Sequence, residues 1–276
     1  MKGSSVEKKK NKRRASAPSK YVPSTKKNYG WLWGLLVIVV VAVIIGVGIH
    51  MGVKSKDDSA DGADITLKNS VVNVSDDYIE FRSKDAKKDA KVVELFEDPR
   101  CPLCSELEKT YGKQMADAIE SNQVILHVHL MDFLNQSGKT QYSTRANAAL
   151  VTAALTGDAE SAFRFHSILW HTAPAEGQDT VEPSDEDLAD KAKRAGIKGD
   201  ALDKIKSGQY DTMRASKMGN DNMKDLGKRL GKDSGTPAVF TDGKRIDTQK
   251  SDWVTSLYSC LLYTSPSPRD GLISYA

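Results

Sequence analysis

Val92-Val93-Glu94-Leu95-Phe96-Glu97-Asp98-Pro99-Arg100-Cys101-Pro102-Leu103-Cys104 decides the fold. The β-branched and aromatic run Val92 to Phe96 is short and apolar, as a buried parallel strand is, and turn chemistry at Asp98-Pro99 stops it. A helix is expected to follow. Pro102 suits a first helical position, where its missing N–H costs nothing, and Leu103, Leu107, Tyr111, Met115 and Ile119 recur every four residues to form one apolar face. Cys101 is thereby placed at a helix N-terminus.

That placement has a chemical consequence. Disulfide exchange proceeds through the thiolate, and the unpaired N–H groups and dipole of a helix start favour negative charge. A free cysteine of pKa about 8.5 is only ~3% ionised at pH 7, whereas a two-unit drop, about 2.7 kcal/mol, makes it roughly three-quarters ionised. Arg100 is expected to add nearby positive charge. Cys104, one turn on and on the same side, is placed to resolve a mixed disulfide.

Outward from this stretch, the chain of 276 residues divides by charge. Residues 1–30 hold ten Lys/Arg and one acidic residue, whereas residues 54–258 hold 29 Lys/Arg against 35 Asp/Glu, a net of −6 beneath the overall +3. Between them, residues 31–53 carry no charge and, at about 1.5 Å per residue, span a ~30 Å hydrocarbon core. One N-terminal transmembrane helix is expected there, with Tyr29, Trp31 and Trp33 at the inner interface. The long leader, the length of the run and the lack of a nearby small-x-small site favour an uncleaved anchor over a signal peptide. The positive charges place residues 1–30 in the cytoplasm and the rest outside, at the cell membrane. The basic tail is read as setting orientation, not as binding nucleic acid. Gly48-x-x-x-Gly52 is read as an isolated small-residue pair without a role.

Residues 54–69 are polar and read as a linker. Val71–Val74 and Tyr78–Phe81 are expected as short strands around Ser75-Asp76-Asp77. Val124–Met131 is the next buried strand, so strand, helix and strand make a right-handed βαβ unit. His127 and His129 share one face of it, but their spacing with the cysteines matches no common zinc site, so no metal is expected. Residues 143–230 are helical in pattern, with a stop at Gly157, a cap at Asp158 and a capping box at Ser184-x-x-Asp187. Strand periodicity returns at Ala238–Thr241, with Asp242-Gly243 turning into Lys244-Arg245-Ile246 and a last helix beginning near Ser251. Thr236-Pro237, before that strand, reads either as an ordinary strand-starting proline or as a cis peptide.

Taken together, Phe96 to Cys104, Ser143 to Ala149 with Asn147, Phe165-His166-Ser167-Ile168-Leu169-Trp170 and Gly235-Thr236-Pro237 resemble the DsbA-like branch of the thioredoxin superfamily over roughly residues 70–258. The resemblance implies an α/β thioredoxin-like fold with a helical insertion, about residues 143–230. It implies that Cys101 and Cys104 are catalytic as a redox-active disulfide, with no other cofactor. It makes Pro237 cis beside that pair, with Thr236 offering its backbone to an extended substrate. Pro102 and Leu103 complete the active-site motif. Leu103 stands where the strongest oxidants of the family carry a histidine, so a less extreme thiolate is expected. Glu97 and Asp98 are candidates to relay the proton of Cys104, although acids in a loop, Glu94 included, are more often solvated.

The expected function is an extracytoplasmic thiol-disulfide oxidoreductase forming disulfides in secreted or cell-surface proteins, recycled by a membrane redox partner. Alternatives are a reductase or isomerase for a narrow client set, and a tethered binding module with a structural disulfide. The small Cys-x-x-Cys ring is strained and reducible, which disfavours the last. Residues 259–276 change to Ser/Pro/Leu/Tyr composition and resemble an adaptor-derived tail foreign to the protein, which would leave Cys260 without a role.

Overall fold

The structure, a computed structural model, describes residues 64–174 and 181–259. The expected cytoplasmic tail, the transmembrane helix at 31–53, most of the linker and nearly all of the C-terminal tail lie outside the described residues. Among the described residues no helix is long and apolar enough to cross a membrane.

Six strands form one mixed sheet, in the order β1-β2-β4-β3-β5-β6. β1 (Ser70–Val74) and β2 (Ile79–Ser83) form an antiparallel hairpin whose second strand pairs antiparallel with β4 (Val124–Leu130). β3 (Lys91–Glu97) lies parallel to β4 and antiparallel to β5 (Ala238–Thr241), and β6 (Lys244–Arg245) closes the edge. The parallel β3/β4 pair is joined by α1 (Pro102–Glu120), as a crossover demands. Four further helices, α2 (Tyr142–Ala154), α3 (Ala159–His171), α4 (Asp185–Ala195) and α5 (Asp200–Lys206), precede the long α6 (Thr212–Leu230), and α7 (Trp253–Ser259) ends the described chain. Asp158 caps α3 through Ser161 N–H, and Ser184 and Asp187 form a reciprocal capping box on α4.

Strand parity sorts the residues between two cores. Val93 and Leu95 of β3 and Leu126, Val128 and Leu130 of β4 point to the larger core under α1 and α3. Phe96 points the other way, into a smaller cluster with Leu226 of α6 and Phe240. Two expectations change here. The linker ends earlier than residue 69, since Ile65 and Leu67 are buried in the main core and Leu67 N–H donates to Glu160 at 3.0 Å. The apolar face of α1 also rotates, because the buried stripe runs through Cys104, Ser105, Glu108, Gly112 and Met115, while Leu103 is 66 % exposed. A strict spacing of four drifts around a helix of 3.6 residues per turn, so Leu103 and Met115 cannot share one stripe.

The same parity explains His127. It points to the α6 side, stacked on Tyr78 at 3.9 Å, and His129 stacks on Phe96 at 4.3 Å while its Nδ1 meets Asn222 at 3.1 Å. The cysteines belong to the other core, so the sheet separates the histidines from them.

Candidate active site

β3 delivers the chain to the site, and a tight acidic loop turns it into α1. Cys101 N–H donates to the Asp98 carbonyl at 2.9 Å, and Cys101 is the residue capping α1, with Pro102 inside the first turn. The carboxylate of Asp98 fixes this loop from within: it accepts from Arg100 N–H at 2.9 Å, Ser143 Oγ at 2.6 Å and Leu134 N–H at 3.0 Å. Glu97 and Asp98 are therefore not solvated loop acids, for they are 1 % and 0 % exposed. Burial pushes Asp98 up to about 7 against the pull of its donors.

Both cysteines are free thiols, Cys104 wholly buried and Cys101 only 6 % exposed. Their environments push them apart. The Cys104 thiol, as a hydrogen-bond donor, lowers Cys101 to about 6 against the effect of burial, with Thr236 and the first-turn N–H groups of Cys104 and Leu103 adding to it. At a pKa of about 6, Cys101 is about nine-tenths ionised at pH 7. Burial raises Cys104 well above the ordinary thiol value, and the neighbouring Cys101 adds to this. One sulfur is thus a nucleophile at neutral pH and the other a held proton.

Arg100 does not supply the positive charge expected of it. Its guanidinium is fully buried and paired with Glu182, whose carboxylate also accepts from Lys139 N–H at 3.1 Å and from Thr140 N–H at 2.6 Å. The pair clamps the active-site loop to the segment before α4, and the charge is spent there. Gly138 packs beside it, and a Cβ at that position would displace the ends of both side chains.

The Thr236-Pro237 peptide is cis and lies across from the cysteines, where the Thr236 carbonyl accepts from the Cys101 thiol at 3.3 Å. Gly235, Thr236 and Pro237 face Leu103, Leu107 and Tyr111 of α1 across a groove of about 540 Å3. Exposed Leu103 thus lines the approach to Cys101. Sequence reasoning named Glu97 but missed its buried partners: Glu97 pairs with His166 of α3, and His166 Nδ1 lies 3.9 Å from Glu108 of α1. Parity along β3 would have placed Glu97 with Val93 and Leu95, and Glu108 stands one helical turn after Cys104. Glu94, by contrast, faces α6 in a two-pronged pair with Arg229, which holds it below the usual carboxylate range. Among the described residues no cluster of His, Cys, Asp and Glu is arranged to hold a metal.

Comparison with known proteins agrees with this geometry. The sequence model described as thioredoxin matches residues 86–257. The fold is similar to that of MdbA, a thiol-disulfide oxidoreductase from Corynebacterium diphtheriae, at 28% identity and a TM-score of 0.61 over 73% of this chain and 99% of that one. MdbA from Corynebacterium matruchotii is similar at 28% identity and a TM-score of 0.61, over 72% and 97% of the two chains. Reduced DsbA from Mycobacterium tuberculosis, at 21% identity and a TM-score of 0.51 over 67% and 98%, shares the fold. Among curated proteins, the serine/threonine-protein kinase PknE of Mycobacterium tuberculosis is 29% identical over 168 residues, 60% of this chain and only 29% of the kinase's length. The chain belongs to the thioredoxin family and, within it, to the DsbA-like thiol-disulfide oxidoreductases.

Proposed function

We propose that the protein is an extracytoplasmic oxidant of thiols in secreted or cell-surface proteins, anchored by residues 31–53 with its N-terminus in the cytoplasm. The observation that carries the chemistry is the opposed pair of sulfurs, Cys101 lowered to about 6 and Cys104 raised, across from the cis Thr236-Pro237 peptide. In the oxidising direction a substrate thiolate attacks Cys101 of the disulfide, Cys104 leaves, and a second substrate thiol displaces Cys101 from the mixed disulfide. Lowering Cys101 stabilises the reduced enzyme and so makes its disulfide the stronger oxidant. Thr236 and the groove beside Leu103 receive the substrate as an extended segment. Asp98 and Glu97 serve the proton of Cys104. A membrane redox partner takes the two electrons from the reduced pair, and no bound cofactor is required.

The decisive measurement is the reduction potential of the Cys101/Cys104 pair equilibrated against glutathione, together with oxidation of a reduced unfolded substrate. A value at or above about −180 mV with net substrate oxidation is expected. A value near about −270 mV, the poise of thioredoxin, would make the protein a reductase instead. A pair that does not exchange would reduce it to a structural disulfide.

A further inference from the structure

Three ionisable side chains from three elements meet in the core under the cysteines: Glu97 at the end of β3, His166 in the middle of α3 and Glu108 in α1. Their exposures are 1 %, 0 % and 6 %. Burying such groups is costly unless each is paired or carries a proton. Glu97 binds His166 through Nε2, and Glu108 Oε1 approaches Nδ1 at 3.9 Å, beyond a hydrogen bond. His166 Nδ1 and Glu108 Oε1 have no hydrogen-bond partner, so a nitrogen and an oxygen face each other across a gap that a small motion closes. Gly112 makes this arrangement possible, since a Cβ there would overlap the Glu108 carboxylate.

We propose that His166 and Glu108 complete a proton path between Cys104 and solvent: Glu97 takes the thiol proton, His166 carries it across the core from Nε2 to Nδ1, and Glu108 releases it. The proposal rests on the dithiol exchange described above. When the Cys104 thiolate attacks the Cys101 sulfur, the Cys104–Cys101 bond forms and the bond from Cys101 to the substrate breaks. The substrate leaves as a thiolate, and the proton lost by Cys104 passes along the path to water. In the oxidising direction the same proton returns to Cys104 as it leaves Cys101.

The ordering of the groups supports this direction of travel. The charge of Glu97 is felt by Cys104, and Glu97 itself is raised, chiefly by burial and against the pull of His166. The charged groups acting on His166 are Glu97 from β3 and Glu108 from α1; burial opposes the imidazolium, and the two carboxylates outweigh it. Glu108 alone of the three has measurable exposure beyond 1 %.

The test uses the full chain and separates two steps. The first is attack of the Cys101 thiolate on oxidised glutathione, which expels one glutathione and leaves the other on Cys101; the second is resolution of that mixed disulfide by Cys104, read as release of the second glutathione from pH 5 to 8. With Glu108→Gln, resolution is expected to slow about a hundredfold at pH 7, at the low end of what positioned proton transfer contributes, and to recover with added imidazole buffer. The first step should change less than about twofold, since Glu108 is not among the causes that set Cys101. His166→Gln should lose the same step; if it does not fold, Glu108→Gln decides alone. An unaltered resolution profile in Glu108→Gln, or equal loss in both steps without buffer recovery, would overturn the path. Failure of the parent chain at the first step would instead remove dithiol exchange, and the path with it.

Discussion

Replacing Cys104 with alanine tests what sets the reactivity of Cys101. The largest single cause of its lowered pKa is the hydrogen bond from the Cys104 thiol. A hydrogen bond to a charged group contributes about 1.5–3 kcal/mol, which corresponds to roughly one to two pH units. Cys104→Ala should therefore move the ionisation of Cys101 from about 6 to between about 7 and 8. Cys104→Ser retains a donor at the same place and should leave it near 6. Thiolate absorbance, or the inflection of the alkylation rate against pH, reads this directly; the inflection is the safer quantity because intrinsic nucleophilicity rises as pKa rises. In the parent, Cys101 should be labelled at mildly acidic pH well before Cys104. A parent inflection near about 8.5, or Cys104→Ala superimposing on the parent, would refute the reasoning. The shift also sets a pH dependence of stability. Between pH 6 and 9 the unfolded reduced chain holds a proton on Cys101 that the folded chain has released, so the stability of the reduced form rises with pH in that window and is lost as pH falls through 6.

Other outcomes follow from the packing. Glu182→Ala removes the carboxylate paired with the buried Arg100 guanidinium and accepting from the Lys139 and Thr140 N–H groups, and should cost about 1–3 kcal/mol in denaturant unfolding, while Gly138→Ala, whose Cβ meets the ends of both side chains, should lose less. Asn222→Ala removes the amide that donates to the Leu130 and Asp77 carbonyls at 2.9 Å each, and should cost about 1–3 kcal/mol by the same assay. Leu103→His, at an exposed position beside Cys101, should change stability by less than about 0.5 kcal/mol while lowering the alkylation inflection and raising the reduction potential. An unchanged inflection in that variant would mean that position 103 does not act on the sulfur.

Local pattern was enough for the turns and caps, though not for the buried face of α1. The apolar run into Asp98-Pro99, proline inside the first turn after Cys101, the caps at Asp158 and Ser184 and the Asp242-Gly243 turn each act within a few residues, and each stands in the structure where the sequence put it. The order of strand, motif, helices and Thr-Pro strand was also legible, because topology of this kind is written in the sequence of periodicities.

What the tertiary structure alone decided is the fate of the charged groups. From the sequence, Arg100 read as a cation beside the thiolate, and Glu97 and Asp98 as candidate relays in a loop whose acids are more often solvated; packing buries all three and assigns each a partner 45 to 82 residues away. His127 and His129 stand on β4, beside the strand that leads to the cysteines, but fell on the far side of the sheet, and His166, read only as part of a family-like segment, came to lie between Glu97 and Glu108. Helix and strand propensities are set by contacts close in sequence, so the sequence determines them. Burial of a charge is set by which distant side chain closes over it, and only the assembled core fixes that.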